Sequence, residues 1–264
     1  MTITLHHFPG STCSQKVRLV LAEKGLDYES REVNLLAGEQ HAPDYVKLNP
    51  NHVVPTLEHD SGVFIESTLI NEYLDDAFPE PPLKPADAAG RHAIRLWTQR
   101  IDALHPNAGA ITYAIGTRPM LLQQGQEAID AQLAAIPDSA NRERRRIVIE
   151  QGVKAPIFAD AMRAFVRFLD RMQADLSSRT WLAGDDVSLA DFAAVPYVLR
   201  LDSLAMTPLL EARPEVANWY ERVRARPSYE TAVASQLPEM LLALFRKNGE
   251  EAWADVEPLS RLGD

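Results

Sequence analysis

Gly10-Ser-Thr-Cys-Ser-Gln-Lys-Val-Arg18 brings two serines, a threonine and the chain's one cysteine to the point where an alternating apolar stretch gives way to a helical pattern. A helix N-terminus gathers unpaired amides and the positive end of the macrodipole, so a thiolate is favoured there over a thiol. A small thiol within hydrogen-bond reach of a serine hydroxyl has its pKa lowered from a free value of about 8.5. The hydroxyl has only to donate and need not be a nucleophile. The bland reading stands beside this one: Ser11 or Ser14 can simply be the N-cap. Two further segments suit the remainder of a peptide thiol. Val54-Pro55, inside Asn49-Pro-Asn-His-Val-Val-Pro-Thr56, precedes a strand pattern. A cis bond there turns the Val54 amide and carbonyl toward an extended ligand, although Val-Pro is common in turns and trans is the default. Glu66-Ser67 opens another helix, whose N-terminus can take a carboxylate while Glu66 accepts from an ammonium, with simple capping again the alternative.

The elements that hold these positions follow from periodicity. Residues 2–8 alternate β-branched and apolar types and stop at Pro9-Gly10. The helix beginning near residues 11–14 carries Val17, Val20 and Leu21 on one face and ends at Gly25. Residues 29–35 read as a second strand and 36–49 as a loop with an irregular helix. Residues 53–58 and 62–65 read as a hairpin around His59-Asp60-Ser61. From Ser67 a further helix places Ile70, Tyr73, Leu74 and Ala77 on one face. Residues 1–80 thus make an α/β domain. The segment 78–85 (FPEPPLKP) holds four prolines in eight residues, continues neither helix nor strand, and marks a boundary.

Residues 88–235 read as an all-helical bundle. Ile94, Trp97, Ile101, Leu104, Ala108, Ile111 and Ile115 predict one long helix bent at Pro106. Phe158, Met162, Phe165, Leu169, Met172 and Leu176 repeat the rhythm, and packing the two stripes together is the simplest way to bury both. Between them the run Asn141-Arg-Glu-Arg-Arg-Arg146 reads as a solvated face. Ser188 and Asp191 have capping-box spacing, the serine taking the Asp191 amide and the aspartate reaching back. Residues 236–264 form a tail with apolar positions at 237–245 and Trp253, either a lid or a segment docked on the bundle.

Composition narrows the function. A chain of 264 residues with 46% hydrophobic content and 12 glycines can bury two ordinary cores. A net charge of −10 with no long basic stripe argues against nucleic acid or an anionic membrane as partner. No stretch approaches the roughly 18 apolar residues of a membrane span, and the start MTITLHHFPG lacks a basic targeting region, so the expected location is cytoplasmic. A single cysteine, Cys13, precludes an internal disulfide, a Cys-x-x-Cys pair or a cysteine zinc cluster, and no metal site is expected.

Taken in order, Ser11-Thr-Cys-Ser-x-x-Val-Arg18, Ala22-Glu-Lys-Gly-Leu26, Leu48-Asn-Pro50, Val54-Pro-Thr-Leu57, Glu66-Ser67, Glu72-Tyr-Leu74, Trp181-Leu-Ala-Gly-Asp185 and Ser188-Leu-Ala-Asp191 resemble the soluble glutathione transferase family, to about residue 235. The resemblance is to bacterial, zeta- and theta-like members. Residues 66–74, the Pro85-Ala-Asp87 connector and Trp97-Thr98 are particularly similar to the β-etherase branch. It implies a thioredoxin-like N-terminal domain, an all-α helical-bundle C-terminal domain, glutathione as co-substrate, a hydrophobic aromatic electrophile, and a homodimer.

Ser11 matches the serine that activates sulfur in zeta- and theta-like members, Ser14 the position used by β-etherase relatives, and Cys13 the cysteine of the beta class. Gln40 and His41 match contacts to the glycyl carboxylate, while Val53 stands where many relatives carry Gln or Lys, which removes one polar contact. Val54, Pro55, Glu66 and Ser67 complete the glutathione site, and Phe8, Pro106, Tyr113 and Ile115 line the electrophile pocket. Conjugation or β-aryl ether cleavage is the implied reaction. Thiol-disulfide exchange through Cys13 and a non-catalytic binding protein are the alternatives.

Overall fold

β1 (Ile3–His7) buries Ile3, Leu5, His6 and His7 and stops at the Pro9-Gly10 pair, as its alternation predicts. The structure is a computed structural model in which residues 2–60 and 62–260 are described. α1 (Thr12–Glu23) follows, and Gly25 beyond it holds φ +63, a left-handed position that favours a residue without Cβ. β2 (Glu29–Glu32) runs parallel to β1 with Thr4 opposite Glu29. It ends at Glu32, before the predicted residue 35, and all four of its residues are exposed. After a last bond from the Val33 amide to the His7 carbonyl (2.8 Å), Val33 packs with Tyr45 and Val54. α2 (Pro43–Leu48) fills the predicted irregular segment.

β3 (Thr56–His59) and β4 (Gly62–Ile65) form the predicted hairpin, the first strand starting at Thr56 rather than residue 53. The Ser61 position of its turn lies outside the described residues. Among the described residues the sheet has four strands in the order β2-β1-β3-β4, with β3 antiparallel to both its neighbours. α3 (Ser67–Ala77) buries Ile70 and Leu74 as predicted. Tyr73 and Ala77 instead leave that face, and Tyr73 stacks on Phe64 with ring centroids 3.8 Å apart. The proline connector is held by the buried Lys24, whose ammonium donates to the Phe78 and Pro81 carbonyls at 2.8 Å each and pairs with Asp75 at 2.6 Å.

The long helix does not continue to Ile115. α4 (Ala88–Ile111) gives way to a π-helical turn at Thr112–Thr117, then to α5 (Arg118–Gln124). Thr112 Oγ1 donates back to the Ala108 carbonyl (2.8 Å), and Gly116 leaves room for the Phe245 ring, where a Cβ would come within 2.9 Å. Pro106 lies inside α4 and is exposed. α6 (Gln126–Ala134), α7 (Ser139–Gln151) and α8 (Pro156–Leu176) follow. α8 buries all six of its predicted stripe residues.

The arginine run on α7 is not a free solvated face. Arg142 donates to the Ile136 carbonyl, and the Arg145 guanidinium lies 3.2 Å from the Tyr113 ring centroid. After α8 come α9 (Leu189–Ser203), α10 (Thr207–Glu211), α11 (Pro214–Arg224), α12 (Pro227–Ala232) and α13 (Glu239–Ser260). The tail is therefore a full helix. It is anchored by buried Phe245 and Val256, by a bond from Asn248 Nδ2 to the Gly116 carbonyl (3.0 Å), and by backbone contact of Gly249 with Leu204.

The capping box forms in a modified way. Asp191 Oδ2 accepts from the Ser188 amide and hydroxyl, both at 3.0 Å, while Ser188 Oγ takes the Ala190 amide rather than that of Asp191. Asp191 Oδ1 also accepts from Leu182 N (3.0 Å) and Trp219 Nε1 (2.8 Å). Contacts divide the chain into two units. One comprises Met1–Asp102, Arg179–Pro196 and Trp219–Pro238 and contains the sheet with α1, α2 and α3. The other comprises Ala103–Ser178, Tyr197–Asn218 and Glu239–Asp264 and is helical.

Candidate active site

The turn from β1 into α1 is built almost entirely from mutual hydrogen bonds. The Ser11 amide donates to the Phe8 carbonyl (3.0 Å), and Ser11 is the N-cap, its Oγ accepting from the Ser14 amide at 3.3 Å. Ser11 is half-buried and so is Cys13, the second residue of α1. Ser14 is fully buried, and its Oγ accepts from the Phe8 amide (3.3 Å), which turns it toward the interior. Capping and thiolate stabilisation are compatible at Ser11, because the cap uses an oxygen lone pair and leaves the hydroxyl proton to donate.

Val54 and Pro55 are buried and joined by a cis peptide bond. The preceding Val53 carbonyl is fixed by Tyr45 Oη (2.6 Å) and Asn49 Nδ2 (2.9 Å). Glu66 occupies the N-cap position of α3 at φ +67 and ψ 106 and makes no side-chain cap bond. A non-glycine residue held there is strained, so capping does not account for it, and such strain persists where a site requires it. Asn51 Nδ2 donates to Glu66 Oε1 (3.2 Å), and buried Ser67 begins the helix.

Gln40 and His41 do come together. Gln40 Nε2 lies 3.1 Å from His41 Nε2, and His41 Nδ1 lies 3.0 Å from His52 Nδ1. Burial, then the neighbouring His52, lower the His41 pKa below the usual imidazole value, so this pair offers hydrogen bonds rather than charge at neutral pH.

The four residues assigned to the electrophile are differently placed. Phe8 packs against Val33, Tyr45 and Val54. Tyr113 packs against Leu121, Ile129, Leu133 and Ile149 beneath Arg145, and Ile115 is buried. Ile115 also walls a cavity of about 570 Å³ whose other lining includes Arg118, Lys154, Glu251 and Asp255. Among the described residues no group of three or more His, Cys, Asp or Glu side chains is placed to hold a metal ion.

Two further residues matter that the motif reading passed over. Lys16, buried to its ammonium, donates to Asp102 Oδ1 (3.0 Å) and Thr68 Oγ1 (3.4 Å), and Thr68 donates to the same carboxylate (2.7 Å), which ties α1 and α4 to the start of α3. Arg18 is fully buried beneath the turn at residues 8–11. The available signal was their position. Lys16 and Arg18 flank Val17 in a helix buried continuously from Ser14 to Leu21, and long charged side chains are kept inside only when they grip something.

Residues 5–82 match the family of the glutathione S-transferase N-terminal domain and residues 127–227 that of its C-terminal domain. The chain is 32% identical to tetrachloro-p-hydroquinone reductive dehalogenase of Sphingobium chlorophenolicum, covering 87% of this chain and 95% of that one. It is 30% identical to protein LigF of Sphingobium sp. (strain NBRC 103272 / SYK-6), covering 92% and 97%. The crystal structure of the β-etherase LigF superposes with a TM-score of 0.80 at 29% identity, over 88% of this chain and 98% of that one. Glutathione transferase F7 from Populus trichocarpa gives 0.71 at 26% identity, over 90% and 100%.

Proposed function

The chain belongs to the glutathione S-transferase family, and from that premise we propose that Ser11 ionises glutathione for attack on an aromatic electrophile. The family's thioredoxin-like domain and all-helical domain are both present, and the protein is a glutathione-dependent enzyme with glutathione as co-substrate. The observation that carries the Ser11 reading is the contrast between the two serines. Both hydroxyl oxygens accept from a backbone amide and keep a proton to give, but Ser11 is half-buried and within reach of a ligand, whereas Ser14 is fully buried. Cys13 serves no redox role in this reading.

The bound thiol loses its proton at the N-terminus of α1, where the dipole and the Ser11 hydroxyl favour the anion. The sulfur lone pair then forms a C–S bond to the electrophilic carbon as the bond to the leaving group breaks. In an aryl ether the C–O bond breaks and the aryloxide leaves with the electron pair, to be protonated by solvent. Two relatives whose names denote a hydroquinone dehalogenase and a β-etherase support an aromatic substrate. Glu66, Ser67 and the Val54-Pro55 segment hold the γ-glutamyl and cysteinyl parts, and Gln40 and His41 the glycyl carboxylate.

A homodimer is the oligomeric form we infer. Val63 on β4 and Leu69 on α3 are exposed apolar side chains, and Val53 is half-exposed in the same unit. A cytoplasmic location suits a reduced thiol co-substrate.

Ser11→Ala, Cys13→Ala and Ser14→Ala, each assayed with an activated chloroaromatic and a β-aryl ether ketone, test the assignment. The expected result is a fall of about 100-fold in kcat/KM for Ser11→Ala and less than about threefold for Cys13→Ala. A Cys13→Ala enzyme that loses all activity while Ser11→Ala keeps it overturns the assignment of Ser11, and loss of mixed-disulfide deglutathionylation in Cys13→Ala but not in Ser11→Ala favours thiol-disulfide exchange instead.

A further inference from the structure

Arg18 uses all three guanidinium nitrogens on fixed acceptors. Nε donates to the Ala232 carbonyl (2.8 Å), Nη1 to His7 Nδ1 (3.0 Å) and the Phe8 carbonyl (3.3 Å), and Nη2 to the Pro9 carbonyl (3.0 Å). Two of these acceptors belong to the turn that delivers Ser11. The Phe8 carbonyl also receives the Ser11 amide, and the Pro9 carbonyl also receives Gln15 Nε2 at 3.3 Å. Among the described residues no carboxylate lies within ion-pair distance of Arg18. A buried cation without an ion-pair partner is costly, so its place in the fold is explained by what its planar fork grips.

Resting on the reading that Ser11 donates to the glutathione sulfur, we propose that Arg18 is a positioning residue, a clamp on residues 8–11 that sets where the Ser11 hydroxyl stands relative to the thiolate. Removing the fork frees the Phe8 and Pro9 carbonyls on the side facing α1 and leaves Gln15 as the remaining side-chain donor to the turn. A lysine at this position keeps the charge but lacks the planar fork, so it cannot hold Phe8, Pro9 and Ala232 together. The titratable groups around the guanidinium are His7 and, beyond it, His6 on β1, with Tyr28 ahead of β2 and Glu32 at its end. His7 is neutral here. Its Nδ1 accepts a hydrogen bond from Arg18 Nη1 and its Nε2 donates to Ser30 Oγ (2.7 Å), and with burial holding its pKa down to about 4 it stays uncharged through the pH range of the assay.

The test compares Arg18→Lys and Gln15→Met with the parent enzyme, reading kcat, the KM for glutathione, and the pH dependence of the bound thiolate's ultraviolet absorbance. A merely structural role lowers melting temperature and active fraction without moving the pH midpoint. The clamp predicts for Arg18→Lys about a tenfold loss of kcat, a KM within about threefold, and a thiol midpoint displaced to higher pH. Gln15→Met moves the midpoint in the same direction by less, and it carries the test alone if Arg18→Lys does not fold. A folded variant with the parent's midpoint and kcat overturns the proposal. A Ser11→Ala enzyme with the parent's midpoint overturns the underlying assignment of Ser11 instead, whatever the Arg18 variants do, so the two failures are distinguishable.

Discussion

A cap uses the lone pair of a hydroxyl and a bound thiolate uses its proton, so Ser11 can serve α1 and a sulfur together. The sequence exposed both roles at residues 11–14 but could not separate Ser11 from Ser14, because burial three residues apart on a short helix depends on the strand beneath it. Arg18 and Lys16 were illegible for a related reason: their partners, Ala232 and Asp102, lie 214 and 86 residues away. His7 yields a stability prediction of its own. Burial first, then Arg18 and His6, hold its pKa down to about 4 from 6.5. The unfolded chain therefore binds this proton more readily than the folded one. The stability from a neutral His7 is complete above about pH 6.5 and is lost as pH falls toward 4, by at most about 3 kcal/mol. Urea unfolding midpoints should fall between pH 7 and pH 4.5, and His7→Asn, which keeps an acceptor for Arg18, should flatten that slope.

Contiguous patterns made most elements readable. The strand-to-helix handover at Pro9-Gly10, the β3–β4 hairpin and the stripe of α8 all appear where alternation and 3.6-residue spacing put them. The long helix misled because Ile111 and Ile115 keep helical spacing across a π turn, whose extra residue shows only in hydrogen bonds. Most of the tail's apolar residues lie on α13, which is locked into its own unit by a close backbone approach. A Cβ at Gly249 would stand 1.8 Å from the Leu204 carbonyl oxygen, whereas one at Gly109 in α4 meets nothing within 4 Å. Gly249→Ala should therefore cost about 3 kcal/mol or more, and Gly109→Ala should stabilise by about 0.5–1 kcal/mol through helix propensity. Thermal denaturation of the two variants side by side checks the pair. Equal melting temperatures contradict the packing assigned to α13.

At the scale of the whole chain, the ordered motifs identified the family because each is a local backbone device, and their order along the chain carries far more information than any one of them. The grouping of 179–196 and 219–238 with the sheet was not legible, since it depends on which helices pack together rather than on where prolines interrupt the chain. The exposed Val63 and Leu69 give the assembly its test. Leu69→Asp should convert a dimer into a species of 29.4 kDa by sedimentation, and an unchanged mass argues that this face is not the interface. The central claim is that the start of α1 strips the proton from glutathione's thiol, and spectroscopic titration of the bound thiol reaches it most directly. The account predicts a midpoint well below the free value of about 8.5 in the parent enzyme and a return toward that value in Ser11→Ala. A bound thiol that titrates like free glutathione in the parent enzyme would contradict it.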